Sequence, residues 1–191
     1  MNKRIILSLI IGTLLLFVWN AISWMALPFH SQSLKNIPEG IVQLEAMRLQ
    51  MPEDGVYHYP GLPGENTSKT LDEIEHQLQQ GPRITLMVYR NHPTALFDPS
   101  TFLYSLLINL LTAGLTLTLI SFISQPTAKT VILATLTLGV IAAVVSDVSQ
   151  MNWYMFPLGY TLVNVGDKLI SFGLLSVLFA FYTFKTPQHA R

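Results

Sequence analysis

The chain has 191 residues and no cysteine, and its eleven basic and eleven acidic residues leave a formal net charge of zero. Without cysteine there are no disulfides, thiolate metal sites or cysteine nucleophiles, and balanced charge offers nucleic acid no basic face. Hydrophobic residues make up 50% and charged residues 12%, the composition of a membrane protein.

A bilayer core about 30 Å thick takes roughly 20 apolar residues as a helix. Residues 5–27, 101–123, 130–148 and 158–184 each supply such a run. They predict a mainly α membrane protein with a four-transmembrane-helix bundle. The expected layout is a first transmembrane helix within 1–28, a small α+β domain at 29–100 and three further helices in 101–191. The charged, then apolar, start also fits a secretory signal with Ala21 and Ser23 near its cleavage point. Apolarity continues through Leu27, however, so a retained helix is expected.

Charge sets the orientation. Residues 1–4, 125–129 and 185–191 carry only Lys and Arg among their charged side chains, whereas nine acids fall between Glu39 and Asp98. Short loops rich in Lys and Arg stay cytoplasmic. Both termini are therefore expected in the cytoplasm and residues 29–100 outside it, an arrangement suited to a bacterial inner membrane. The lipid bilayer is the expected partner, with another membrane protein or a second copy next; no nucleic acid, cofactor or metal is expected.

Within 29–100, a helix is predicted from about Pro38, with Ile41, Leu44, Met47 and Met51 near helical spacing. Pro52 stops it, Glu53, Asp54 and Gly55 turn the chain, and 56–59 reads as a strand closed by the Pro- and Gly-rich residues 60–64. Thr67 or Ser68 is the expected cap of a second helix running to Gln80. Residues 84–89 then form a second strand. Asn66, Thr67 and Ser68 spell a glycosylation sequon that a bacterium would leave idle. His30, His58, His76 and His92 fall in this segment with Met47, Met51 and Met87, but no two histidines have metal-ligand spacing.

Polar residues in the spans share one depth. Asn20, Asn109, Asp147, Asn164 and Asp167 all fall in the halves nearer residues 29–100. Tyr160, Asn164, Asp167 and Ser171 share a helix face by spacing. An intramembrane carboxylate usually faces a bundle interior or a watery cavity, so these residues predict a polar pocket about 10 Å deep, at 1.5 Å per helical residue. The plainer reading is helix-to-helix hydrogen bonding, with Lys168 snorkelling to the headgroups. Gly159, Gly166, Gly173 and Ala180 recur every seven residues, predicting close helix packing on another span or another subunit. Trp19, Trp24, Trp153, Tyr154, Phe156 and Tyr160 fit an aromatic belt at the interface.

Residues 19–30 (WNAISWMALPFH) and 152–161 (NWYMFPLGYT), the latter leading to Asn164 and Asp167, resemble a group of uncharacterised small bacterial four-span inner-membrane proteins. The resemblance implies four spans and one external segment, and no activity.

The sequence has no HExxH helix, GxSxG elbow or phosphate loop, so no catalytic residue is assigned from motif. The leading expectation is a non-enzymatic membrane protein whose outer domain and polar pocket bind a partner protein, lipid or small ligand. The pocket would use Asn20, His30, Asn109, Asp147, Tyr160, Asn164 and Asp167. One alternative is a small oligomeric transporter or ion-binding unit, although polar groups in one half of the spans do not make a path. The other is a membrane-embedded enzyme using His30 with Asp147 or Asp167, since a carboxylate can orient an imidazole base.

Overall fold

The computed structural model describes residues 3–37, 44–61 and 68–184. Along the chain the elements are α1 (Lys3–Ala26), α2 (Phe29–Ser33), α3 (Leu44–Gln50), β1 (Gly55–Tyr59), α4 (Leu71–Gln80), β2 (Ile84–Tyr89), α5 (Pro99–Ser121), α6 (Ala128–Tyr154) and α7 (Leu158–Thr183). They fall into two units, Met1–Lys35 with Leu96–Arg191, and Asn36–Ala95. The four long helices α1, α5, α6 and α7 are each long and apolar enough to cross a membrane. This is a multi-pass membrane protein with an α+β unit between its first and second spans.

In the helical unit, α1 packs on α5 and α7, and α6 packs on α7. The core is Leu16, Ala113, Leu117, Ile120, Val131, Leu175, Phe179 and Ala180. Large side chains such as Leu14, Val18, Leu111, Leu115 and Val145 lie on the exposed surface, where lipid rather than water is the favourable neighbour. Gly12 lets Leu175 and Ala113 approach α1, and a Cβ on Gly139 would meet the Phe172 side chain at 2.8 Å. Hydroxyls inside the spans mostly bond to the carbonyl one turn back, as Thr13, Thr116, Thr135 and Ser146 do. They therefore add little polarity to the helix surface.

Three π-helical turns interrupt the regular spans, at Ile22–Ala26, Val144–Val148 and Phe179–Thr183. Helix α6 continues past Val148 because residues 149–154 stay helical until Met155 adopts φ 57°. Asp98 caps α5 through the Ser100 amide, with Pro99 opening the helix. Thr127 and Thr130 form a reciprocal cap on α6. These caps start both helices slightly before the apolar runs do.

The α+β unit has the predicted order α-β-α-β. Strands β1 and β2 pair antiparallel, with Val56 opposite Val88 and Tyr57 opposite Met87, and Tyr57 meets Tyr89 edge-on at 6.0 Å. Asn91 ties the strand ends together. Its amide donates to Asp54 Oδ1 at 2.8 Å and its side chain to the Pro52 carbonyl at 2.8 Å. Helix α4 is capped by Thr70 rather than Thr67 or Ser68, because Glu73 lies three residues on and closes a capping box. Gly81, at φ 58°, ends it in a conformation that favours glycine. The start of the first predicted helix at Pro38, the stretch 62–64, Asn66 and Thr67 of the sequon and residues 185–191 lie outside the described residues.

Gly139→Ala should destabilise the helical unit by about 1–3 kcal/mol, the usual cost of overpacking, whereas Gly173→Ala, with open space around it, should be neutral or slightly stabilising. Thermal unfolding in detergent distinguishes them; equal effects would contradict the packing described. In the α+β unit, the Asn91 N–H holds the Asp54 carboxyl below its ordinary pKa, with His92 adding to the shift. A carboxyl lowered on folding stabilises the fold above its unfolded pKa and loses that contribution as pH falls through the folded value. Protection of the Asn91 amide against hydrogen exchange should therefore fall on acidification below the ordinary carboxylate range. In Asp54→Ala it should already be low at neutral pH, and equal protection in variant and parent would refute the assignment.

Candidate functional site

The site begins where α1 ends. Leu27 precedes Pro28, and a residue before proline is driven out of the α region; Leu27 is extended, at φ −89° and ψ 144°. The last turn of α1 is π-helical, closed by the Leu27 amide on the Ile22 carbonyl at 2.9 Å. Pro28 then opens the short α2, which turns His30 back against α1 and α7. His30 is 2% exposed. It belongs to the helical unit, not to the α+β unit in which its sequence position had placed it.

Its ring stacks on Trp24, with centroids 3.8 Å apart and planes 15° from parallel. Nε2 lies 3.1 Å from Ser23 Oγ and 3.7 Å from Asp167 Oδ2. Serine and carboxylate thus address the same ring nitrogen, while Nδ1 is buried without a partner. A hydrolase triad needs the carboxylate on the nitrogen opposite the serine, so this is a histidine–carboxylate pair with an attached hydroxyl.

Beside the pair is a cavity of about 290 Å³, walled by Trp19, Leu27, Phe29, Leu162 and Ile170, with Ser23, His30 and Asp167 as its polar lining. A second cavity of about 360 Å³ is lined by Asn20, Asn109, Thr112, Lys168 and Ser171. Asp167 lines both. Asn20 Nδ2 donates to Asn109 Oδ1 at 3.1 Å, joining α1 to α5. Asn109 is 4% exposed and its own Nδ2 has no partner.

Lys168 behaves differently. Its ammonium reaches Asp147 Oδ1 at 2.9 Å and Oδ2 at 2.7 Å, locking α7 to α6. Apart from that ion-paired carboxylate, the buried side-chain atoms without a hydrogen bond among the described residues are Trp19 Nε1, His30 Nδ1, Asn109 Nδ2 and Asp167 Oδ1. Every one belongs to a residue lining one of the two cavities. Burying such a group unpaired costs about 1–3 kcal/mol.

Of the residues expected at the pocket, Asn20, Asn109 and Asp167 line the second cavity, while His30 lines the first together with Asp167. Asp147 is taken by Lys168. Tyr160 and Asn164 line neither cavity: Asn164 Nδ2 donates to the Tyr160 carbonyl at 2.8 Å, and the Tyr160 ring meets Phe156 edge-on at 5.3 Å. Gly159, Gly166 and Gly173 have no atom of another element within 4 Å of an added Cβ, so in this chain only Ala180 of that row packs in the core. Sequence reasoning missed Ser23, Trp24 and the Lys168 pairing. The last had a signal, because Lys168 is the one basic residue inside the four apolar runs and intramembrane charges tend to pair.

No group of three or more His, Asp or Glu side chains among the described residues has the geometry to hold a metal ion. No protein-family model, curated protein or solved structure matches the chain.

Lys168→Met should cost about 3 kcal/mol by leaving Asp147 buried and unpaired. Adding Asp147→Leu should recover most of the loss. Thermal unfolding of the single and double variants checks this; a double variant no better than the single would mean that the ion pair is not the structural link.

Proposed function

We propose that this chain is a membrane-embedded acid–base enzyme whose substrate is an amphipathic molecule held in the 290 Å³ cavity. His30 moves a proton at the polar end of that molecule, and Asp167 balances the charge formed on the imidazole. The apolar wall of Trp19, Leu27, Phe29, Leu162 and Ile170 takes the hydrocarbon part. The observation that carries this reading is the buried histidine–carboxylate pair, His30 Nε2 at 3.7 Å from Asp167 Oδ2, beside a cavity that both residues line. By contrast, Asp147 is ion-paired at 2.7 Å with Lys168.

The Lys and Arg bias of the short loops supports a bacterial inner membrane with both termini cytoplasmic and the α+β unit outside. The cavity then opens toward the non-cytoplasmic half of the bilayer, where lipid-type molecules are the available substrates. A second reading is binding without turnover, favoured by the mainly apolar lining and by Ser23 and Asp167 sharing one ring nitrogen rather than forming a relay.

The test is incubation of the protein in nanodiscs with a total membrane-lipid extract, read by mass spectrometry. The enzyme reading expects one lipid species to be consumed, with loss of general acid–base catalysis in His30→Ala slowing turnover by about 10²–10⁴-fold. Asp167→Asn should also slow it while leaving the unfolding temperature close to the parent's. An amphiphile that co-purifies unaltered with the parent and is lost in His30→Ala would establish the binding reading instead.

A further inference from the structure

We infer that Gly166 is the specificity-determining residue of the first cavity, and that the ligand admitted there is an amphiphile with one hydrocarbon chain beside Gly166 and an uncharged polar end. The inference rests on the reading of that cavity as the substrate site. Leu162, Gly166 and Ile170 all line it. They are four residues apart on α7, so they form one ridge of the helix surface, with the side chain missing at its centre. A Cβ built on Gly166 meets no atom within 4 Å. The gap between Leu162 and Ile170 is therefore a notch in the cavity wall, not a close contact between helices.

The wall of this cavity also reaches the outer surface of the helices. Leu162 is 58% exposed, Phe29 56% and Ile170 46%, and in a bilayer such apolar side chains face hydrocarbon. A chain can thus enter sideways from the membrane without crossing water. Asp167 follows Gly166 directly and shares the polar lining with Ser23 and His30, so the notch and the polar groups lie within one helical turn. Charge narrows the polar end. No Lys or Arg is among the described residues that line the cavity, and the neighbouring Lys168 ammonium is held by Asp147 at 2.7 Å. A protonated His30 would be offset by Asp167 at 3.7 Å. An anionic end would therefore be buried beside a carboxylate without a counter-charge, which is costly. A cationic end would compete with His30 for Asp167. An uncharged end does neither.

The experiment is native mass spectrometry of the full chain in detergent with three probes that share one chain and differ in charge: 1-monooleoylglycerol, 1-oleoyl-lysophosphatidylglycerol and oleylamine. The expected result is retention of monooleoylglycerol over either charged probe by about tenfold. Gly166→Leu should fill the notch and lower that retention by about tenfold or more. Its unfolding temperature should stay at or above the parent's, because leucine is the better helix former and meets no neighbour there. Gly173→Leu, also in open space but lining neither cavity, should leave retention unchanged. Equal behaviour of the two variants would make Gly166 an ordinary lipid-facing glycine and overturn the proposal. A Gly166→Leu chain that fails to fold, a preference for a charged probe, or retention of no probe would each overturn it too. The enzyme reading fails separately. Lipid turnover that persists in Gly166→Leu removes the notch and keeps the enzyme, whereas retention lost in Gly166→Leu with no lipid consumed by the parent supports the notch and removes the enzyme.

Discussion

A bilayer core supplies no water, so every polar group in a span must find its partner inside the protein. Most of this chain obeys that constraint locally. Many threonines and serines of the spans bond to the preceding turn, and Thr183 closes on Ser8 at 2.6 Å where α7 meets α1. Against that background, among the described residues and apart from the ion-paired Asp147, the buried atoms without a hydrogen bond belong to Trp19, His30, Asn109 and Asp167, on α1, α2, α5 and α7.

The two acidic residues of the spans divide the work. Asp147 is held by both oxygens on Lys168, and such a pair fixes α6 on α7 without offering anything to a ligand. Asp167 is held by nothing so close. Its Oδ2 lies 3.7 Å from His30 Nε2, beyond hydrogen-bond length, and its other oxygen has no hydrogen bond. Adjacent positions on α7, Asp167 and Lys168, thus point to different neighbours because consecutive helical residues lie about 100° apart at 3.6 residues per turn.

Much of this was legible in the sequence. Apolar run length gave the four spans, and turn residues with alternating β-branched and aromatic side chains gave the order of the α+β unit. The shared depth of Asn20, Asn109 and Asp167 pointed to one polar layer. Partner choice was not legible, for a physical reason. A π-helical turn inserts a residue and shifts everything beyond it by roughly 100° around the axis, given 3.6 residues per turn. Ser23 and Asp147 both lie in such turns, so spacing of three and four could not say which face they present. Tyr160 and Asn164 failed differently. They share the face of Asp167 by spacing, but Asn164 satisfies itself on its own helix before any neighbour is reached.

The position of His30 shows how a short connection can make a buried site out of a residue that reads as external. Pro28 forbids helix at Leu27, so α1 must stop there, yet its ring also pre-sets the backbone for a new helical turn. The chain therefore does not leave the bundle at Leu27. It makes one more short helix, and the stacked Trp24 ring holds the imidazole over Ser23 and beside Asp167. Without the proline, a continued α1 would place residue 30 two turns beyond residue 23 on the same face, roughly 10 Å away at 1.5 Å per residue, too far for the hydrogen bond seen. The WNAISWMALPFH segment is therefore more than the end of a span: its proline brings the His30 ring back to within 3.7 Å of the Asp167 carboxylate.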